Sequence, residues 1–191
     1  CIQFPLTAEK TPTIFMPIDP LEKLVVGLIR NAIENTPDEG KVAIRVEGDG
    51  HRVYLKVKDT GVGIVEEHQK RIFEGFFPIQ NTDDYSSRRP FDFNAGGKGA
   101  DLLRMKIFSE RYQFDMLMKS SRCKVLPNAG DVCPGAIGSC PSCQTAQECY
   151  ESGGTSFEVC FPAGGDIAEA GSWPKACKRI KGNEIREGWT I

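Results

Sequence analysis

Between residues 20 and 35 the apolar positions fall three and four apart. Leu21, Leu24, Val25, Leu28, Ile29, Ala32 and Ile33 form one stripe. That period predicts an amphipathic helix. Asp19-Pro20-Leu21-Glu22 predicts its start, with Asp19 as the cap and Pro20 at the first helical position. Thr36-Pro37 and Gly40 predict its end. Asn31 and Asn35 stay off the stripe, one turn apart, and so share a face. The period then changes to two. Val42, Ile44 and Val46 alternate with other residues, as do Val53, Leu55 and Val57. Two half-buried strands are predicted, joined through Gly48-Asp49-Gly50.

The second strand runs into Asp59-Thr60-Gly61-Val62-Gly63. A carboxylate stands where strand becomes loop, and two glycines let the backbone pass close to a flat ligand. Taken alone, the pattern also describes an ordinary strand end with turn glycines. Downstream, residues 66–70 read as a charged helix, 114–119 and 156–161 as strands, and a further helix starts near residue 100.

Composition sets limits. A chain of 191 residues can hold one domain with a real core and an appendage. Charged residues make up 26% and the net charge is -2, so neither nucleic acid nor an anionic membrane is implied as an electrostatic partner. No apolar run is long enough to span a bilayer, and no signal peptide is recognisable. The chain starts at Cys1, not Met, and reads as a piece of a longer protein.

The motifs occur in a telling order. Leu28-Ile29-Arg30-Asn31-Ala32-Ile33-Glu34-Asn35-Thr36-Pro37 is followed by the Asp59 loop, then Arg71-Ile72-Phe73-Glu74-Gly75-Phe76-Phe77, then Gly96-Gly97-Lys98-Gly99-Ala100-Asp101-Leu102. This series resembles the N, G1, F and G2 boxes of the catalytic ATP-binding domain of sensor histidine kinases, within the gyrase, chaperone and mismatch-repair ATPase superfamily. Gly154-Thr155-Ser156-Phe157-Glu158-Val159 is similar to the family's closing strand.

The resemblance implies an α+β fold of Bergerat type, a two-layer α/β sandwich with a mixed, mostly antiparallel sheet and helices on one face. It implies a domain over 1–165 with an insertion at about 122–152, and a tail at 166–191. It implies ATP and Mg²⁺ as cofactors. Asn31 would offer Mg²⁺ a hard, neutral amide oxygen. Glu34 and Asn35, one turn on, would face the nucleotide; a solvated polar helix face is the plain alternative. Asp59 would accept from the adenine amino group, which guanine lacks at that edge. Gly61, Gly63 and Ile64 would line the base, Thr155 would lie near it, and Gly97, Lys98 and Gly99 would meet phosphate at a helix N-terminus. Phe73, Phe76 and Phe77 would hinge an ATP lid, or simply join the core. The polar stretch 78–98, with Arg88 and Arg89, suits such a lid.

Two departures stand out. Gly27 sits where hydrolytic relatives carry a glutamate, so efficient free hydrolysis is not expected. The family's Gly-Leu-Gly reads Gly99-Ala100-Asp101 here, and the Asp101 carboxylate would compete with phosphate at the helix start. His51 and His68 both read as surface residues, so the phosphoacceptor histidine must lie on a separate dimerisation and phosphotransfer domain of the same longer protein, with a response regulator downstream. The implied compartment is the cytoplasm, including the cytoplasmic part of a membrane-bound sensor.

The stretch between the last two strands is rich in Cys, Gly, Pro and Ser. Cys133, Cys140, Cys143 and Cys149 lie close in sequence, with Cys123 nearby. So little apolar content suggests that something covalent orders the segment. Four thiolates suit tetrahedral Zn²⁺. An iron–sulfur cluster, disulfides or free thiols are the alternatives. Cys1 and Cys177 have no partner at useful spacing, and Trp173 and Trp189 mark a tail of undecided docking.

Overall fold

The computed structural model describes residues 2–3, 13–74, 91–95, 100–128 and 130–163. Helix α1 spans Ile18–Glu34. Its stripe delivers Leu24 and Leu28 to the core, each with 0% exposure. Burying one such leucine contributes roughly 2 kcal/mol. The helix starts before the expected cap. Pro17 precedes it, and the Pro17 carbonyl accepts from the Leu21 N–H at 3.3 Å. Asp19 therefore lies inside the first turn, where its carboxylate accepts from Lys23 Nζ at 2.7 Å. Pro20 permits the early start, because a first-turn N–H would have no helical partner in any case. At the other end, Asn35 caps α1, and its Nδ2 donates back to the Asn31 carbonyl at 2.8 Å.

Strands β2 (Val42–Gly48) and β3 (Arg52–Asp59) form the expected hairpin, in register from Val42↔Asp59 to Gly48↔Val53. Asp49 Oδ1 closes the turn by accepting from the His51 and Arg52 amides at 3.0 and 2.7 Å. A two-residue strand β1 (Ile2–Gln3) adds to β2 in parallel. After the short helix α2 (Glu66–Gln69) comes α3 (Ala100–Tyr112), then β4 (Asp115–Ser121), the helix α4 (Ala146–Ser152) and β5 (Gly154–Pro162). The sheet order is β1-β2-β3-β5-β4, antiparallel except for β1. This is the expected α+β sandwich. Val53, Leu55, Val57, Phe157, Val159 and Phe161 from the sheet meet the helices in one core. Gly27 of α1 faces Met105 of α3; a Cβ on Gly27 would lie 2.6 Å from Met105 Cε. The position expected to lack a catalytic glutamate is thus filled by a helix–helix contact.

Polar contacts run through the segment between β4 and α4. Arg122 Nε donates to the Leu126 carbonyl at 2.8 Å, and its Nη2 donates to those of Asn128 and Asp131, both at 3.0 Å. Asp38 and Ala136 form a parallel bridge, with Asp38 N–H on the Gly135 carbonyl at 2.7 Å. The Tyr150 hydroxyl donates to the Glu39 carbonyl at 3.0 Å while Lys41 Nζ lies 4.2 Å from its ring centroid. A capping box at Thr145 and Glu148 starts α4. Cys123, Ile137 and Cys149 supply a small buried cluster beneath.

Candidate nucleotide site

The alternation of β3 continues one step past the apolar residues, so Asp59 lies on the same buried face as Val53, Leu55 and Val57. It is 5% exposed. Its Oδ1 accepts from the Gly61 N–H at 2.9 Å and from the Thr155 N–H at 3.0 Å. Both amides take Oδ1, which among the described residues leaves Oδ2 for a donor from outside. Burial pushes the carboxyl up to about 6, and the two amides oppose that rise.

The loop after Asp59 is pressed against the end of α1. Val62 N–H donates to the Asn35 carbonyl at 3.2 Å. A Cβ on Gly61 would stand 2.1 Å from that same oxygen, so only glycine allows the approach. Gly63 has φ +63, and a Cβ there would meet the Ser121 carbonyl at 1.8 Å. Ile64 is anchored through its backbone: its N–H donates to Ser120 Oγ at 2.9 Å. Ser120 Oγ also lies 2.9 Å from Thr155 Oγ1. Thr155 thus serves the site by its amide, and its hydroxyl ties β5 to β4. Ser120 went unnoticed in the sequence; its only signal is its register opposite Thr155.

Asn31 is half-buried on α1, and among the described residues its side-chain amide makes no hydrogen bond. Asn35 is drawn into the cap described above. Glu34 turns elsewhere. Its carboxylate is buried, accepts from the Phe91 N–H at 3.3 Å, and lies 4.0 Å from Arg30 Nε. Its backbone carbonyl accepts from Asn94 N–H at 2.7 Å. Glu34 therefore holds the turn over 91–95. Burial raises its pKa, with the Phe91 amide opposing. Phe73 packs, half-buried, against the core. Gly97, Lys98 and Gly99 lie outside the described residues, as do Phe76, Phe77, Arg88 and Arg89. Asp101, at the start of α3, pairs with both Arg30 and Arg104.

The cysteines do not form the expected zinc centre. Among the described residues no group of three or more His, Cys, Asp or Glu side chains is arranged to hold a metal ion. Cys133, Cys140, Cys143 and Cys149 are free thiols, and the hydrogen bonds of Arg122 and Asp38 replace the covalent order that low apolarity suggested. Among the same residues no helix is long and apolar enough to cross a membrane.

Comparison with known proteins agrees with this geometry. An adaptive-response sensory kinase, SasA of Rippkaea orientalis, is 36% identical over 77 residues, which is 40% of this chain and 20% of that protein. The chain thus spans about a fifth of the length of that relative. The structure resembles ShkA in complex with AMPPNP, with a TM-score of 0.54 and 20% identity over 85% of this chain and 25% of that one. It also resembles histidine kinase ThkA in complex with the response regulator TrrA, with a TM-score of 0.51 and 18% identity over 84% of this chain and 33% of that one. Residues 17–165 match the histidine kinase-, DNA gyrase B- and HSP90-like ATPase family, and the chain belongs to it.

Proposed function

We propose that this chain is the ATP-binding catalytic domain of a two-component sensor histidine kinase. The domain would span 1–165 with its insertion at about 122–152, followed by the tail at 166–191. One observation carries the reading: a buried carboxylate, Asp59, whose Oδ1 is fixed by two backbone amides and whose Oδ2 is left for an amino group.

The residues present fit ATP and Mg²⁺. Asp59 would read the adenine amino group, and Gly61 and Gly63 would keep side chains away from the base. Asn31 would give its side-chain amide oxygen to Mg²⁺, and Lys98 with Gly97 and Gly99 would meet phosphate. Mg²⁺, bound with the nucleotide, supplies charge neutralisation at the phosphate oxygens. The chain's own part is to hold and orient. Gly27 has no side chain to activate water, which favours keeping ATP intact for a protein nucleophile.

The γ-phosphoryl group would pass to a histidine on the dimerisation and phosphotransfer domain of the same longer protein, and onward to a response regulator. The structure of ThkA with TrrA supports that class of partner. We place the domain in the cytoplasm, without nucleic acid or membrane contact of its own. The alternative is a degenerate, non-catalytic nucleotide-binding or metal- or redox-sensing module on the same fold; it would need Asp101 to face phosphate, and the pairing of Asp101 with Arg30 and Arg104 counts against that. Calorimetry with Mg²⁺ tests the reading: ATP should bind well above GTP, and equal affinities would overturn it.

A further inference from the structure

Asp59, Thr155 and Ser120 follow one another across β3, β5 and β4. Lys58 pairs with Ser156 and Ser120 with Thr155, which puts the three at one end of the sheet. Each lies two residues from a core position, respectively Val57, Phe157 and Met118, so all three share the face turned toward the helices. The apolar face of the sheet thus ends in a row of oxygen-bearing side chains.

A hydroxyl has one proton to donate and two lone pairs to accept with. Ser120 Oγ meets three partners. The Ile64 N–H donates to it at 2.9 Å and takes one lone pair. The Gly154 carbonyl lies 3.2 Å away and can only accept, so it takes the Ser120 proton. Thr155 Oγ1 lies 2.9 Å away, where either hydroxyl could be the donor. With the Ser120 proton on Gly154, the donor there is Thr155. The reverse direction would leave the Ser120 and Gly154 oxygens 3.2 Å apart with no proton between them. Gln69 Nε2 holds this frame by donating to the carbonyls of Ile64 at 2.8 Å and Ser120 at 3.1 Å. Thr155 Oγ1 has then given its only proton to Ser120, its one side-chain partner among the described residues. What Thr155 Oγ1 still offers is lone pairs. The amide of the same residue fixes Asp59 Oδ1.

We propose that Ser120 is a positioning residue for base selection: by taking the Thr155 proton it leaves Thr155 Oγ1 an acceptor beside Asp59, and the two side chains together select an amino group over a carbonyl. The proposal rests on the nucleotide reading of the Asp59 site. The exocyclic amino group of adenine carries two hydrogens, one for Asp59 Oδ2 and one for Thr155 Oγ1. A carbonyl in its place, as in inosine, faces two acceptors and pairs with neither. Without the Ser120 hydroxyl, Thr155 can turn its proton toward that carbonyl, and part of the discrimination is lost.

Calorimetry of the whole chain with adenosine and inosine is the test. Ser120→Ala should cut the ratio of the two affinities by about fivefold, the size of one neutral hydrogen bond, and Ser120→Thr, which keeps a hydroxyl there, should restore it. In a Thr155→Val background, Ser120→Ala should leave the ratio within about twofold, since no hydroxyl remains to turn. A role in packing alone would weaken both nucleosides alike. Equal losses, no rescue by threonine, or a fall in the ratio that persists without the Thr155 hydroxyl would each overturn the proposal. NMR of the unaltered chain reads the proton itself and needs neither a ligand nor a variant. The Thr155 hydroxyl proton should exchange slowly and show a nuclear Overhauser contact to the Ser120 methylene; a fast-exchanging proton, or one remote from Ser120, would also overturn the proposal. If the unaltered chain binds neither nucleoside, base selection falls with the nucleotide reading, and the NMR signal alone decides the direction of the Thr155 proton.

Discussion

Arg30 of α1 and Asp101 of α3 form an ion pair across the helix crossing where Gly27 also meets Met105. Arg104 takes the other carboxylate oxygen. Charge and packing close the same contact. The pair is partly exposed, at 33% for Arg30 and 18% for Asp101, so it contributes about 1 kcal/mol at most. A urea-based double-mutant cycle with Arg30→Gln and Asp101→Asn should return a coupling of roughly 0.5–1 kcal/mol. Because the carboxylate is engaged by arginines, Asp101→Asn should change the affinities for ATP and adenosine alike. A selective gain for ATP would mean that Asp101 faces phosphate after all.

Asp59→Asn separates binding from stability. Asparagine has one oxygen, and the Gly61 and Thr155 amides require it. Its Nδ2 then confronts the adenine amino group, donor against donor. Adenosine affinity should fall by about 1–3 kcal/mol. The fold should gain stability at pH 7, because an ionised buried carboxylate is removed. Lower stability at that pH would show that the two amide bonds outweigh the desolvation.

The pH profile follows from the same group. Its folded pKa, about 6, lies above the unfolded value of 3.8. The folded state holds the extra proton between these values, so stability should decline as pH rises from about 4 to 6 and level off above. An amino donor on Oδ2 favours the ionised form, so adenosine affinity should rise over that window. Adenosine carries no phosphate to titrate, and calorimetry in buffers of different ionisation enthalpy would read the released proton. A flat profile would exclude Asp59 as the acceptor.

Gly61→Ala should disrupt the site. The new methyl would meet the Asn35 carbonyl at 2.1 Å, a backbone atom that cannot swing away. A loss of roughly 2 kcal/mol or more in stability is expected, along with nucleotide binding. Gly130→Ala is the control, since a Cβ there meets nothing within 4 Å. Equal behaviour of the two variants in thermal melts would refute the close approach.

Arg122→Ala should loosen the segment between β4 and α4 by freeing the Leu126, Asn128 and Asp131 carbonyls. Hydrogen exchange should speed up there while Val57 and Val159 in the core stay protected. A metal chelator should have no such effect. Faster exchange on chelation would restore the metal-ordered alternative.

Local pattern was enough for α1, for the β2–β3 hairpin and for the place of Asp59. The 3.6-residue stripe and the two-residue alternation each specify a buried face, and Asp59 falls on that face because it lies two residues past Val57. Helix α1 starts two residues earlier than the local pattern implies, since a first-turn proline fits either boundary. Tertiary structure decided the rest. Thr155 holds Asp59 from 96 residues away, and Asp101 meets Arg30 across 71. Glu34 lies between Asn31 and Asn35 in sequence yet turns to the 91–95 backbone. The cysteine segment is ordered by carbonyls of its own that Arg122 gathers. Each of the first three is a polar contact whose partner lies far off in sequence and is set by the tertiary fold. Neighbours along the chain therefore carry no trace of it, whereas a helix stripe or strand alternation is written entirely in neighbours.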